Sequence, residues 1–275
     1  MARSTERRIM PCVGPPPVAR RRMPTLSIII VAKNEAANIA ECVRSARFAD
    51  EVIVLDSGSS DGTPQLARAA GAKVVETDWP GYGPQNNRGI DLATGDWFFS
   101  LDADERISPE LAAEIRAAIA RGDADGYRVP RSSMYCGRFI RHGGWTPDYT
   151  WRLARRGTAR FTEHFLHAHL EVRGATGSLR HPIVHYSYRS MEAVLEKLNR
   201  YSTANARDMI SAGRQGSLGR AVAHGFWAFF RTYVLRLGFL DGRFGFMLAV
   251  SNAEGTYYRY VKLWLLQRHG VEGKP

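Results

Sequence analysis

Cysteine is scarce in this chain. Cys12, Cys42 and Cys136 make an odd set without paired or metal-ligand spacing. That excludes a disulfide-stapled scaffold and suits a reducing compartment. Long apolar runs are also lacking: no 18-residue apolar stretch escapes a charge, which removes a conventional membrane-spanning helix. The Arg-rich, Pro-broken start has no apolar stretch of a secretory signal, so a cytoplasmic protein is the expectation. Two phosphate-binding glycine patterns are missing as well. No G-x-G-x-x-G follows the first apolar strand, Gly81-Tyr82-Gly83 lacks its last glycine, and there is no P-loop lysine pattern. Dinucleotide binding is thereby disfavoured.

What is present is an ordinary globular composition with an uneven charge. The 275 residues, 44% hydrophobic and 24% charged, can bury one large domain, with or without an appendage. The net charge of +11 divides into +5 over residues 1–24, −8 over 25–125 and +14 over 126–275. An acidic first half joined to a basic second half argues for two jobs. The basic part can attract nucleic acid, anionic lipid or phosphorylated substrates, or its arginines can simply solvate a surface.

Residues 1–24, broken by five prolines, read as a disordered basic arm. Apolar runs rich in β-branched or aromatic residues then recur every 20–26 residues, at Leu26–Ala32, Val52–Asp56, Lys73–Glu76 and Trp97–Leu101. Helical spacing fills the gaps: Ile39, Val43 and Ala46; a helix with Thr63 as N-cap and Pro64 first inside; one through Ile90 and Ala93 ending at Gly95; and one opened by Ser108-Pro109. This alternation predicts an α/β fold, a mostly parallel sheet flanked by helices, with ligands at the strands' carboxyl ends. From Gly126 to about His185 the pattern is mixed, and from Met191 onward it is helical.

The carboxyl ends carry polar loops. Asp102-Ala103-Asp104-Glu105 follows the fourth strand, where clustered carboxylates repel unless a cation sits among them. Hard oxygen ligands suit Mg²⁺ or Mn²⁺ completed by substrate phosphates; the alternative is a solvated turn capping the next helix. Ala32-Lys33-Asn34-Glu35 ends the first strand, and Asp56-Ser57-Gly58-Ser59-Ser60-Asp61-Gly62-Thr63 ends the second. Their short side chains and glycines suit a base and ribose. Gly58–Gly62 also fits the G-x-S-x-G pattern of a hydrolase with Ser60 as nucleophile, although the helix begins too late for a tight elbow. His164, His167 and His169 suggest a metal cluster or, better, alternation along a strand.

Together these motifs resemble family 2 inverting glycosyltransferases of the GT-A fold. More narrowly, they resemble the group adding β-1,4-glucose to the lipopolysaccharide core. The segments carrying the narrower likeness are Val31–Glu35, Leu55–Thr63, Gly95-Asp96-Trp97, Leu101–Glu105, Gly143–Asp148, Arg152-Leu153, His185, Tyr201-Ser202 and Gly238–Arg243. The resemblance implies a catalytic domain over 25–190, with a nucleotide-sugar half (25–125) and an acceptor half (126–190), and a helical extension over 191–275. It implies a UDP-sugar donor and a divalent metal. Ala32, Lys33, Asn34, Glu35, Asp56, Ser57, Gly58, Asn87, Asp102 and Ala103 would bind the nucleotide sugar. Asp104 would ligate the metal, with His185 either completing its shell or simply buried. The chain departs from the family in two places. Asn86 stands where a basic residue usually precedes Asn87, and His167-Ala168 replaces His-Glu. The usual candidate base is therefore missing. Displacement at an anomeric carbon needs a carboxylate to take the acceptor proton, and Asp148 and Glu163 are the candidates. Gly143, Gly144 and Trp145 form a loop suited to an acceptor sugar, with Trp145 able to stack on its apolar face.

In 217–237, Arg220, His224 and Arg231 share one helical face at about 100° per residue, with aromatics over most of the remainder. Residues 244–268 mix Tyr, Trp and Leu with Arg and Lys. Such helices suit an anionic lipid interface, hence a peripheral position on the cytoplasmic face of the inner membrane; a helical core or dimer face is the alternative. The expected activity is transfer of a hexose, glucose first, to a lipopolysaccharide inner-core saccharide or another envelope polysaccharide or glycolipid. A serine hydrolase and a nucleic-acid-binding module rank below it, and nucleic acid is not an expected partner.

Overall fold

The structure, a computed structural model, describes residues 22–163 and 168–269. Most of the expected arm, together with His164 and His167, lies outside them. The first half alternates as the apolar runs dictate: β1 (Leu26–Ala32), α1 (Ile39–Ser45), β2 (Glu51–Asp56), α2 (Thr63–Ala69), β3 (Lys73–Glu76), α3 (Tyr82–Leu92) and β4 (Trp97–Asp102). There follow β5 (Glu105–Arg106), α4 (Pro109–Arg121), β6 (Gly126–Tyr135), β7 (Arg138–Phe139), β8 (Asp148–Arg155), β9 (Ala159–Phe161), β10 (Leu170–Val172), β11 (Thr176–Ser178) and β12 (Ile183–Tyr188). The chain ends in α5 (Met191–Ser211), α6 (Leu218–Phe230) and α7 (Gly242–His269), with a π-helical turn at Arg231–Leu235 and a 3₁₀ turn at Gly238–Asp241.

The main sheet runs β3-β2-β1-β4-β8-β6-β12-β5. Strands β3, β2, β1 and β4 are parallel, so the ends of β1, β2 and β4 lie side by side. Strand β1 is buried along almost its whole length, as a central parallel strand must be. Its Ile28 and Ile30 meet Ile39, Val43, Leu111 and Ile115 on one face, while Ile29 meets Ile90 and Phe98 on the other. The α/β expectation therefore holds.

Beyond β4 the direction reverses. Strand β8 pairs antiparallel with both β4 and β6, and β12 runs parallel to β6. The short β5, three residues past β4, pairs with the opposite end of the sheet at β12. This crossover places the Asp102–Glu105 loop against residues some 80 positions away.

Local boundaries differ in two places. Thr63 is the first residue of α2 rather than its cap, because Asp61 Oδ1 accepts the Thr63 amide at 3.1 Å and its hydroxyl too. Helix α3 stops at Leu92, before the Gly95 expected to end it. Ser108 caps α4 as its sequence predicts, accepting the Leu111 amide at 3.2 Å.

The last three helices pack through small residues. The face of α6 against α7 is made of Ala221, Gly225 and Ala228, with Thr232 buried just beyond, and a Cβ on Gly225 would lie 3.3 Å from that of Tyr257. Arg220, His224 and Arg231 are all exposed, as their shared face predicts, and the His224 ring also stacks on Tyr260 at 4.4 Å between centroids. The bulky side chains point outward as well, Phe226 being 71% and Trp227 50% exposed. Among the described residues, no helix is long and apolar enough to cross a membrane.

Candidate active site

A cavity of about 600 Å³ opens at the carboxyl ends of β1 and β4 and extends over β8 and β12 to α5. Of the expected site residues, Ala32, Lys33, Glu35, Asp102, Ala103, Asp104 and His185 line it.

Strand register builds its centre. His185 stands opposite Glu105 of β5 on one side and Ser133 of β6 on the other. Tyr186 N donates to Asp104 O at 2.9 Å, tying the acidic loop to β12. His185 Nε2 thereby comes within 3.3 Å of Asp104 Oδ2, while its Nδ1 is held by the Ser133 hydroxyl at 3.0 Å. One carboxylate and one oriented imidazole suit a divalent cation whose other positions go to phosphate oxygens and water. Among the described residues, no group of three or more His, Cys, Asp or Glu side chains stands ready to hold a metal alone.

Beneath this pair lies Arg152, only 6% exposed. Its Nη2 donates to Asp102 Oδ2 and to Glu105 Oε1, each at 2.7 Å. Glu105, fully buried, also accepts the Asp102 amide through Oε2 at 3.0 Å. Burial opposes ionisation of Asp102, but the Arg152 charge and hydrogen bond, with His185 and Arg131 behind them, bring its carboxyl down to about 2. Glu105 goes the other way: burial pushes it up to about 7, with the Asp102 charge adding to the rise. Asp102 thus gives up its proton more readily than a free carboxyl, and Glu105 keeps its own more firmly. Glu35, on the opposite wall, is also raised by burial, partly offset by its hydrogen bond from Asn38.

Other expected residues brace the cavity from outside. Asp56 is buried and accepts the amides of Gly58 and Ser59, shaping the turn after β2. Ser57 accepts from Gln85 at 3.1 Å. Asn34, with φ of 55°, locks the first two loops together: its amide donates to Ser59 Oγ and its Oδ1 accepts the Ser60 amide. That network explains Gly58–Gly62 without a nucleophile. Ser60 is exposed, is not among the positive-φ residues and stands three residues before α2, so no strained elbow forms. Asn87 is a strut, clamping both backbone groups of Phe161 at 2.9 Å; its neighbour Asn86 lines the cavity and accepts the Ser100 hydroxyl at 2.8 Å.

The candidate bases lie off the lining. Asp148 begins β8 and is gripped by Arg131, whose Nε donates to Oδ2 at 2.9 Å. Glu163 is exposed, beside residues outside the description. The loop expected to meet the acceptor is held from the helical side. Gly143 N donates to Arg236 O at 2.8 Å, and Gly144, at φ of 83°, leaves room for the Arg236 side chain. Trp145 packs between Tyr135 and Tyr188, at 5.8 and 5.9 Å between centroids. The loop thus joins the sheet to the helices and faces a second cavity. His169 precedes β10 instead of alternating within a strand, and it lines the first cavity.

Sequence reading assigned no role to Arg131, Arg152, Lys197 or Tyr201, all of which line the first cavity. Arg152 left one signal: a charge inside the apolar run Trp151–Leu153 needs a buried partner.

The description Glycosyl transferase family 2 matches residues 27–185. The chain is 32% identical over 254 residues to an uncharacterized glycosyltransferase of Rickettsia felis, covering 88% of this chain and 90% of that protein. It is 28% identical over 263 residues to the lipopolysaccharide core biosynthesis glycosyltransferase LpsC of Rhizobium meliloti, covering 91% of this chain and 95% of that one. Among solved structures, glucosyl-3-phosphoglycerate synthase from Mycobacterium tuberculosis, in complex with Mn²⁺, UDP and glucosyl-3-phosphoglycerate, matches at 29% identity with a TM-score of 0.35. That match covers 42% of this chain and 45% of that one. The chain is thus a sugar-transferring enzyme, a member of glycosyl transferase family 2.

Proposed function

We propose that this glycosyltransferase is metal-dependent and inverting, and moves a hexose, glucose first, from a UDP-sugar to a lipopolysaccharide inner-core or related envelope saccharide. The observation carrying this reading is Asp104 beside an oriented His185, with Asp102 paired to Arg152, where parallel strands end in one cavity. The acceptor class comes from the likeness to LpsC.

In this reading Asp104 and His185 hold the cation, which when bound neutralises charge developing on the departing diphosphate. Asp102 meets the ribose, and Lys33 and Glu35 flank the nucleoside. Asp56, Ser57, Gly58, Asn34 and Asn87 keep the surrounding loops in place. Arg152 fixes Asp102 and Glu105 in one geometry. Asp148 is the proposed base, taking the acceptor hydroxyl's proton on the face opposite the leaving group. Arg131, which holds Asp148 and also lines the cavity, is drawn toward incoming phosphate and releases that carboxylate. Glu163 is the second candidate.

The exposed Phe226, Trp227, Leu235 and Phe239, with Arg231, Arg236 and Arg243 nearby in the chain, support a peripheral seat on an anionic cytoplasmic membrane surface. The deciding experiment is a panel of nucleotide sugars scored by UDP release, with and without EDTA. The reading requires chelator-sensitive turnover with UDP-glucose or another UDP-hexose; turnover indifferent to EDTA, or absent with every UDP-sugar, defeats it.

A further inference from the structure

A second cavity, of about 350 Å³, lies between the sheet and helices α5 and α7. Trp145 and the Tyr188 ring form one wall, and Ser202, Asn205, Ser251 and Asn252 supply hydroxyls and amides around it. Its described lining residues include two cations, Lys197 and Arg259, and no carboxylate. Arg259 Nε is buried without a hydrogen-bond partner, an unusual state for a guanidinium. Lys197 Nζ has aromatic rings about it, 4.8 Å from the Tyr188 centroid and 5.8 Å from that of Tyr201. Burial pulls its ammonium below the usual lysine range, partly offset by the Asp104 charge across the first cavity.

The two cavities are neighbours on α5, where Lys197 and Tyr201 line both. Aromatic faces beside hydroxyls and amides suit a sugar, whose ring has apolar faces and polar edges. Two cations without a carboxylate suit a negative charge on it.

We infer that this second cavity seats an anionic sugar unit of the acceptor, bearing a carboxylate or a phosphate, held by Arg259 and Lys197 against Trp145 and Tyr188. The inference rests on the transferase reading and deepens it by naming the acceptor's charge. The anion anchors the acceptor at α7, and the hydroxyl to be glycosylated reaches past Lys197 and Tyr201 to the donor cavity.

Titration calorimetry on the full chain tests it, using glucuronate, glucose 6-phosphate and neutral methyl glucoside as probes, with and without UDP and Mn²⁺. At least one anionic sugar binds at least tenfold tighter than methyl glucoside. Arg259→Gln removes that preference, Arg259→Lys keeps most of it, and saturating UDP leaves it in place. A preference for glucuronate assigns a carboxylate sugar, and one for glucose 6-phosphate a phosphorylated sugar. The inference is overturned if the neutral sugar binds as well, if no anionic sugar binds, or if Arg259→Gln changes nothing in a protein whose melting matches wild type. Binding abolished by UDP also overturns it, since the anion then sits in the donor cavity. Failure of UDP itself to bind would strike the donor reading alone.

Discussion

The acidic first half and the helical last third solve opposite problems. Between β1 and α4, three largely buried strands, β1, β2 and β4, fix the backbone, and the polar residues gather where they end, locked by hydrogen bonds between loops. In the helices, close approach is made by small residues, Ala221, Gly225 and Ala228, while Phe226 and Trp227 stay exposed. One region places its charged groups inside and pairs them, Arg152 with Asp102 and Glu105; the other places apolar groups such as Phe226 and Trp227 outside. The first arrangement makes a rigid site, the second an adaptable surface.

The contrast is broken most severely at Arg152. Replacing it with Met strands the Asp102 and Glu105 carboxylates, and should cost about 3–5 kcal/mol, read by urea unfolding. Asp104→Ala should lower EDTA-sensitive UDP release about 100-fold or more and leave the melting temperature close to wild type, since its carboxylate is partly exposed. On the helical side, Gly225→Leu should cost about 1–3 kcal/mol by forcing α6 away from Tyr257.

A subtler separation comes from pH. Glu105, raised from 4.5 to about 7, holds its proton more tightly folded than unfolded. Its contribution is complete below pH 4.5 and disappears as pH rises through 7, with a slope approaching about 1.4 kcal/mol per unit between those values. Unfolding at pH 5 and 7 should show this loss in wild type and a flatter response in Glu105→Gln. Asp102 acts oppositely, stabilising above pH 3.8 and losing that contribution as pH falls through 2. The smallest effect belongs to the exposed aromatics. Phe226→Ser with Trp227→Ser should change stability by no more than about 0.5 kcal/mol yet weaken sedimentation with anionic vesicles about tenfold. Unaltered sedimentation would argue for a protein partner on that face.

Much of this division was legible in the residues. Apolar runs such as Ile28-Ile29-Ile30 announce buried parallel strands, and Ser108-Pro109 announces a helix start. Asp102, Asp104 and Glu105 were visible as unbalanced charge at a strand end. Roles within that neighbourhood were not legible. Asn86 and Asn87 are adjacent amides, yet helical rotation turns one to the cavity and the other to Phe161. Trp145, in a loop suited to sugar, packs against Tyr135 and Tyr188, which belong to strands entering from either side of it in the chain. In the helices the outward aromatics were legible, but the contact face was not, because Ala and Gly, which allow the close approach, carry little hydrophobic signal.

Local patterning alone determined the alternating elements, the parallel sheet and the clustering of acids at its carboxyl edge, because strand burial and capping depend on residues a few positions apart. Tertiary structure alone decided which acid meets a histidine and which is neutralised by an arginine. The jump of β5 to β12 and the reversal at β8 bring Asp104 to His185 and Asp102 to Arg152 across at least 50 residues. Charges separated by that much chain are paired by sheet register, which no short stretch of sequence encodes.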